Sequence, residues 1–227
     1  FTLAAGLQQN VIQEDTLFKN LPKKIKCAGR SISEYDMDIP SSLTAEEILI
    51  RSGNIGSIKI AQKVGLENFK DFLENLDLLN KIQFDIEEVG NPIPFKWGKC
   101  KLATSAYGHG ITTTPLQLAK AYAIIANGGY KIKPTLIKKE KNFKKGKQII
   151  TQENSNKINE ILRKIVTSEQ GTANLANIAG YEIAGKTGTA QKSIKGKYSK
   201  KKINTFASIF PVSFPKYVLI VLLDEPK

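Results

Sequence analysis

Histidine, methionine and tryptophan occur once each among 227 residues, and cysteine only twice. So few soft ligands leave no material for a zinc ribbon, and Cys27 and Cys100 stand too far apart for a C-x-x-C redox pair. They are free to bridge in an oxidising compartment or to stay as two buried thiols, and their spacing leaves both open. Long apolar runs are also missing. The longest near the end, Tyr217 to Leu223, falls well short of the roughly 20 residues that span a bilayer. No basic segment precedes the apolar stretch Phe1 to Leu7, so no secretory signal is visible. Acidic residues are short in supply: 21 against 34 Lys plus Arg gives a net charge of +13. That balance favours an anionic partner. Yet the two Lys-rich segments, Lys138 to Lys147 and Lys192 to Lys202, carry no interleaved aromatics and no helix-turn-helix or RNP-like pattern. They read as solvated loops, and no nucleic-acid partner is expected. With 41% hydrophobic and 24% charged residues the chain is neither disordered nor a disulfide scaffold. It opens on Phe1, its only methionine is Met37, and it stops on Asp224-Glu225-Pro226-Lys227 just after a strand-like run. The expectation is a piece of a longer protein.

Periodicity supplies the elements. Residues 2 to 10 read as the body of a helix, followed by a polar connector to about Ser42. Thr44-Ala45-Glu46-Glu47 is a capping box that starts a helix running through Ile50. Asn54 is expected to cap the next helix, with Ile55, Ile58 and Ala61 on one face and Gly65 as its stop. A third helix is predicted near Asn68 to Leu79, with Phe69, Phe72, Leu73 and Leu76 as its apolar stripe. Residues 81 to 110 read as loop. Thr114 and Pro115 suit N-cap and N1 of a helix that ends at Asn127-Gly128-Gly129. A short strand near Tyr130 to Ile137 and a helix around Asn154 to Thr167 follow. Three strands then close the chain: Tyr181 to Ala190, Ile203 to Phe210 and Tyr217 to Leu223. Helices followed by a terminal run of strands predict an α+β fold with helices packed on a mainly antiparallel sheet.

Gly180 to Thr187 fits the string G-x-x-x-x-G-K-[ST], and Val218 to Leu223 before Asp224-Glu225 imitates a Walker B strand. A phosphate loop needs a strand before it and a helix after it, because the helix amides hold the phosphates. Here the upstream stretch Gly171 to Ala179 is rich in Ala and Asn. Downstream lies a Lys/Gly/Ser-rich segment with no helical stripe, and Tyr181 and Ile183 alternate as a strand does. The nucleotide reading is rejected.

Lys186-Thr187-Gly188 also belongs to the set S-x-x-K, S-D-N and K-T-G of acyl-transfer sites. On a strand, Lys brings positive charge beside a nucleophile, Gly lets a substrate approach the backbone, Thr hydroxyls take a carboxylate, and an amide can aim at an oxyanion. Ser52-Gly53-Asn54 is the only S-x-N in the chain and lies between two predicted helices. A short loop there can lean a hydroxyl and an amide into a cleft, where Ser relays a proton and Asn holds a substrate amide. His109, the only histidine, has no acid-plus-serine arrangement around it. Flanked by Gly108 and Gly110, it reads as a residue that orders a loop, with Trp97 and Tyr107 as packing residues.

Several further segments make the likeness specific: Ala106 to Gly110 (AYGHG), Thr114 to Leu118 (TPLQL), Ile125 to Gly129 (IANGG), Ala184 to Ala190 (AGKTGTA) and Pro215 to Pro226 (PKYVLIVLLDEP). Together they resemble class B penicillin-binding proteins, above all the division-type, FtsI-like peptidoglycan D,D-transpeptidases, along nearly all of the chain. The resemblance implies one transpeptidase domain over residues 1–227, with the penicillin-binding-protein fold of an antiparallel sheet between helices on both faces. It implies Ser52 as proton relay, Asn54 as a ligand of the substrate backbone, and Lys186 as the electrostatic anchor of both. Thr187, Gly188 and Thr189 would bind the D-Ala-D-Ala end, with the Thr189 amide in the oxyanion hole. Gly53 departs from the family, where Ser or Asp is frequent. Implied partners are peptidoglycan stem peptides, β-lactams and membrane division proteins, with no cofactor and no metal. The implied location is the periplasmic face of a bacterial inner membrane, reached through an N-terminal anchor outside these residues.

The family's S-x-x-K opens a buried helix, where Ser and Lys share a face and Lys can act as base. Phe1 to Leu7 resembles the stretch immediately after that motif, so the nucleophile is expected upstream of Phe1. The strings Ser199 to Lys202 and Ser213 to Lys216 open no helix and are not candidates. An elongation-type transpeptidase, a β-lactam sensor and a β-lactamase stand as rivals with related chemistry.

Overall fold

The structure, a computed structural model, describes residues 1–86, 90–138, 145–194 and 197–226. Residues 139–144 of the first Lys-rich segment and 195–196 of the second lie outside them. The chain opens with helix α1 (Thr2–Gln8), of which all but Gln8 is buried. The segment read as a polar connector contains three short strands, and a fourth follows it directly. β1 (Leu17–Phe18) pairs with β4 (Leu43–Thr44), and β2 (Lys24–Cys27) forms a hairpin with β3 (Arg30–Ser33). Two-residue and four-residue strands are too short for alternation to stand out of a Lys/Ser-rich background.

Thr44 caps α2 (Ala45–Ile50) through the expected box, its hydroxyl accepting the Glu47 amide while Glu47 accepts the Thr44 amide. α3 (Asn54–Val64) buries Ile55, Ile58, Ile60, Ala61 and Val64. Its stop at Gly65 requires a φ of 83°, which a residue without Cβ adopts without strain. The N-cap differs from expectation. Gly53 occupies it, Asn54 is the first helical residue, and no side chain of the turn caps the helix. α4 (Leu66–Asn75) presents Phe69, Phe72 and Leu73 to the core.

Inside the predicted 81–110 loop lies α5 (Lys101–Ala106), whose six residues are too few to display a period. Just before it, Cys100 is disulfide-bonded to Cys27 of β2. α6 (Pro115–Ala126) starts as predicted, with Thr114 and the buried Gln117 forming a second capping box. The predicted strand at 130–137 is reduced to one bridge, Tyr130 to Gln148. Pro134 has no amide to give to a ladder, and the Asp85 carboxylate takes the Leu136 amide and the Thr135 hydroxyl instead.

After α7 (Gln152–Thr167) and a 3-10 turn (Asn174–Ala176) come β5 (Ala184–Ile194), β6 (Lys197–Phe210) and β7 (Tyr217–Asp224). They form an antiparallel sheet in the order β5-β6-β7, in keeping with the mainly antiparallel sheet expected. Ser199 to Lys202 therefore sits in the strand β6 rather than in a loop. Ala184, Ile209 and Val218 are in register across the three strands, as are Lys186, Ala207 and Ile220. This is the face that meets the buried apolar cluster, which also holds helix residues such as Ile124, Ile125, Leu162 and Ile165. Being the first strand in the order, β5 is an edge of the sheet.

Candidate active site

Two elements meet at this edge. The first is the turn between α2 and α3. The chain leaves α2 through Arg51, and Ser52 then adopts a φ of 58°, left-handed backbone uncommon for a residue with a Cβ. Two backbone bonds fold the turn back on α2, from the Ser52 amide to the Leu49 carbonyl (3.2 Å) and from the Gly53 amide to the Ile48 carbonyl (2.8 Å). A Cβ at Gly53 would lie 3.1 Å from Ile39 Cδ1, so the middle position is tightly lined.

The second element is β5. Lys186 Nζ donates to Ser52 Oγ at 2.8 Å and to the Thr187 carbonyl, also at 2.8 Å. The lysine is half-buried, and desolvation pulls its pKa down to about 8. The start of α1 lies in the same neighbourhood, with Phe1 close enough to feel the charge on Lys186.

Alternation along β5 puts Lys186 on the core-facing side with Ala184, and Thr187 and Thr189 on the other, in register with Phe206 and Asn204. Thr187 Oγ1 is 2.8 Å from Thr172 Oγ1, which ties the edge strand to the segment after α7. Gly188 and Thr189 are exposed. Gly185, one residue before the lysine, is buried, and a Cβ there would meet Phe206 Cζ at 2.7 Å and the Ala207 carbonyl at 2.8 Å.

The structure therefore brings Ser52 to Lys186 and sets Thr187, Gly188 and Thr189 on the same edge. Asn54 is one residue from that turn, but its side-chain amide is engaged, Nδ2 donating to the Ser33 carbonyl at 2.8 Å. Two residues in contact with the site carried no sequence signal. Glu34 accepts the Asn54 amide (2.6 Å) and the Ile55 amide (2.9 Å), and Thr172 meets Thr187. Both partnerships are tertiary. His109 is half-buried within a glycine-flanked loop, its pKa lowered mainly by desolvation, and its ring lies 4.8 Å from that of Tyr107. Among the described residues no group of three or more His, Cys, Asp or Glu side chains is arranged to hold a metal. Lys186 and Thr187 lie within an extended strand paired along its length with β6, not in a loop that opens a helix, so the phosphate-loop geometry is absent.

An S-x-N turn between helices, held to a K-T-G edge strand by its lysine, is the arrangement of the penicillin-recognising acyl-transfer proteins. The chain belongs to the penicillin-binding protein transpeptidase family, whose model, "Penicillin binding protein transpeptidase domain", matches residues 1–227. It is 30% identical over 238 residues to the probable peptidoglycan D,D-transpeptidase FtsI of Caulobacter vibrioides, covering all of this chain and 40% of that relative. The probable peptidoglycan D,D-transpeptidase PenA of Neisseria flavescens is 29% identical over 230 residues, with all of this chain and 56% of the relative covered. The chain thus spans about half the length of these relatives, or less. Among solved structures, the transpeptidase domain of Burkholderia pseudomallei penicillin-binding protein 3 superposes with a TM-score of 0.92 at 26% identity, over 100% of this chain and 69% of that one. Penicillin-binding protein 3 of Mycobacterium tuberculosis complexed with aztreonam gives 0.88 at 25% identity, over 99% and 55%. The α+β penicillin-binding-protein fold expected from the sequence is the fold observed.

Proposed function

We propose that this domain performs the acyl-transfer chemistry of a peptidoglycan D,D-transpeptidase acting in septal cell-wall synthesis at the periplasmic face of the inner membrane. The observation that carries this reading is the 2.8 Å contact between Lys186 Nζ and Ser52 Oγ at the edge of β5. A partly desolvated ammonium beside a hydroxyl at a sheet edge provides a proton path and a positive field together. The edge strand offers its outer backbone groups to an extended peptide, as in strand addition.

In the proposed reaction a serine hydroxyl, expected in a segment preceding Phe1, adds to the penultimate D-Ala carbonyl. Its proton passes through the Ser52–Lys186 pair to the departing nitrogen. The C–N bond breaks, terminal D-Ala leaves as the amine, and an ester to the serine remains. The amine of a neighbouring stem peptide then attacks the ester, restores an amide and returns the hydroxyl. Thr187 and Thr189 take the terminal carboxylate, the Thr189 amide faces the oxyanion, and Asn54, its Nδ2 held by the Ser33 carbonyl, uses Oδ1 to accept a substrate backbone amide. β-Lactams enter the same path, because their strained amide presents the same carbonyl.

The test is labelling with fluorescent penicillin. The longer protein that carries these residues should be acylated stoichiometrically and release the label slowly, and the 227-residue chain alone should take up none. Rapid hydrolysis of penicillin would make the protein a β-lactamase, and labelling of the chain alone would place the nucleophile within it. Either result overturns the proposal.

A further inference from the structure

α3 begins under an unusual condition. Its first turn has orphan amides, as every helix does, but glycine at its N-cap offers no oxygen to take them. The acceptor comes from 20 residues upstream. Glu34 uses both carboxylate oxygens, Oε2 on the Asn54 amide at 2.6 Å and Oε1 on the Ile55 amide at 2.9 Å. It is 8% exposed. Burying a carboxylate costs free energy unless its oxygens are satisfied, and two amides at a helix N-terminus satisfy them. Desolvation still pushes the pKa of this carboxyl up, against the pull of those amides and of Lys23.

The neighbours of Glu34 grip the same turn. The Ser33 carbonyl accepts Asn54 Nδ2 at 2.8 Å, and Asp36 pairs with Arg51 at 3.2 Å. Residues 33–36 therefore hold the chain on both sides of Ser52. Between these holds Ser52 keeps its left-handed backbone and its contact with Lys186. Removing the central hold frees the first turn of α3 and, with it, the direction in which Ser52 and Asn54 lean.

We propose that Glu34 is a positioning residue: from outside the S-G-N turn it supplies the cap that Gly53 lacks, and so sets Ser52 against Lys186. The proposal rests on the transpeptidase reading for its consequence in catalysis.

The experiment uses the longer protein that carries these residues. Glu34→Gln keeps the side-chain volume and one acceptor but turns an N–H towards one of the two amides. Its rate of acylation by fluorescent penicillin should fall about 10–100-fold, as expected for a misplaced reacting group. Reversible binding before acylation should change much less. Adding Gly53→Ser supplies a local cap oxygen in the same turn, at the cost of displacing the flexible end of Ile39, and should recover most of the lost rate. In a Ser52→Ala background, Glu34→Gln should cost markedly less than in wild type, because most of its effect passes through Ser52. Glu34→Asp, too short to reach both amides, should lose an intermediate amount and serves if the Gln variant does not fold. An acylation rate within twofold of wild type, or a Glu34→Gln loss that multiplies fully with that of Ser52→Ala, overturns the role of Glu34. Wild-type protein that takes up no label instead overturns the transpeptidase reading.

Discussion

Lys186 is where a single residue decides the most. Desolvation lowers its pKa from the ordinary 10.5 to about 8, so its charge is lost just above neutrality. In the proposed mechanism the charged form holds Ser52 and the substrate carboxylate. Acylation rates measured from pH 6 to 10 should therefore fall along an alkaline limb with a midpoint near 8. Lys186→Arg, which keeps its charge throughout, should remove that limb while lowering the plateau, because guanidinium geometry does not fit an ammonium site. The same shift has a consequence for stability. In the unfolded chain the lysine holds its proton up to 10.5, and in the folded chain only to about 8, so between those values the unfolded state binds more protons and stability rises with pH. Below pH 8 the full cost of the buried charge is present. Lys186→Met should thus raise the urea midpoint at pH 7, and the gain should shrink as pH approaches 10. Ser52→Ala should slow acylation by about 100-fold or more, the usual worth of a positioned proton relay.

At the scale of the element, β5 works only if its neighbour β6 can come close. Phe206 and the Ala207 carbonyl leave no room for a Cβ at Gly185. Gly185→Ala should destabilise the protein by about 1–3 kcal/mol, the usual cost of overpacking. Urea denaturation measures it, and Phe206→Leu in the same chain should return part of the loss by removing the ring. Elements whose causes are local were legible in the sequence. The capping box at Thr44 and the Thr114-Pro115 helix start each lie within four residues, and the β5 alternation runs straight through the K-T-G. Ser52, Lys186 and Thr187 could be singled out because motif chemistry is written in short strings, and the fold brings Ser52 to Lys186. The cap of α3 was misread, because a plausible Asn stood next to a Gly and the true acceptor was Glu34. The β2–β3 hairpin and α5 were missed because four and six residues are too short for a period to declare itself. Thr172 could not be found at all, since only the tertiary fold brings it to Thr187.

Across the whole molecule, long-range ties hold the halves of the site in place, and the disulfide is the most testable of them. Spacing alone left Cys27 and Cys100 open to pairing or to separate burial. The fold pairs them, joining the β2–β3 hairpin to the start of α5 across a separation of 73 residues. Closing a loop of that length removes chain entropy from the unfolded state worth about 4 kcal/mol at 25 °C. The hairpin it anchors runs through Ser33 directly into Glu34 and Asp36, the residues that grip the S-G-N turn. The bond therefore acts on two levels, on global stability through the unfolded chain and on the site through β3. Cys27→Ser combined with Cys100→Ser should lower the unfolding free energy by about 2–4 kcal/mol, less than the full loop term if the unfolded chain keeps residual structure. If the tie acts only on the unfolded state, amide exchange in the native protein should stay uniform relative to global stability. If the hairpin also depends on it, exchange should quicken selectively at residues 24–34 and 101–106 and spread to Asn54 and Ile55, whose amides Glu34 holds. The path from β2 to the turn is a short continuous backbone, so the second pattern is the one expected.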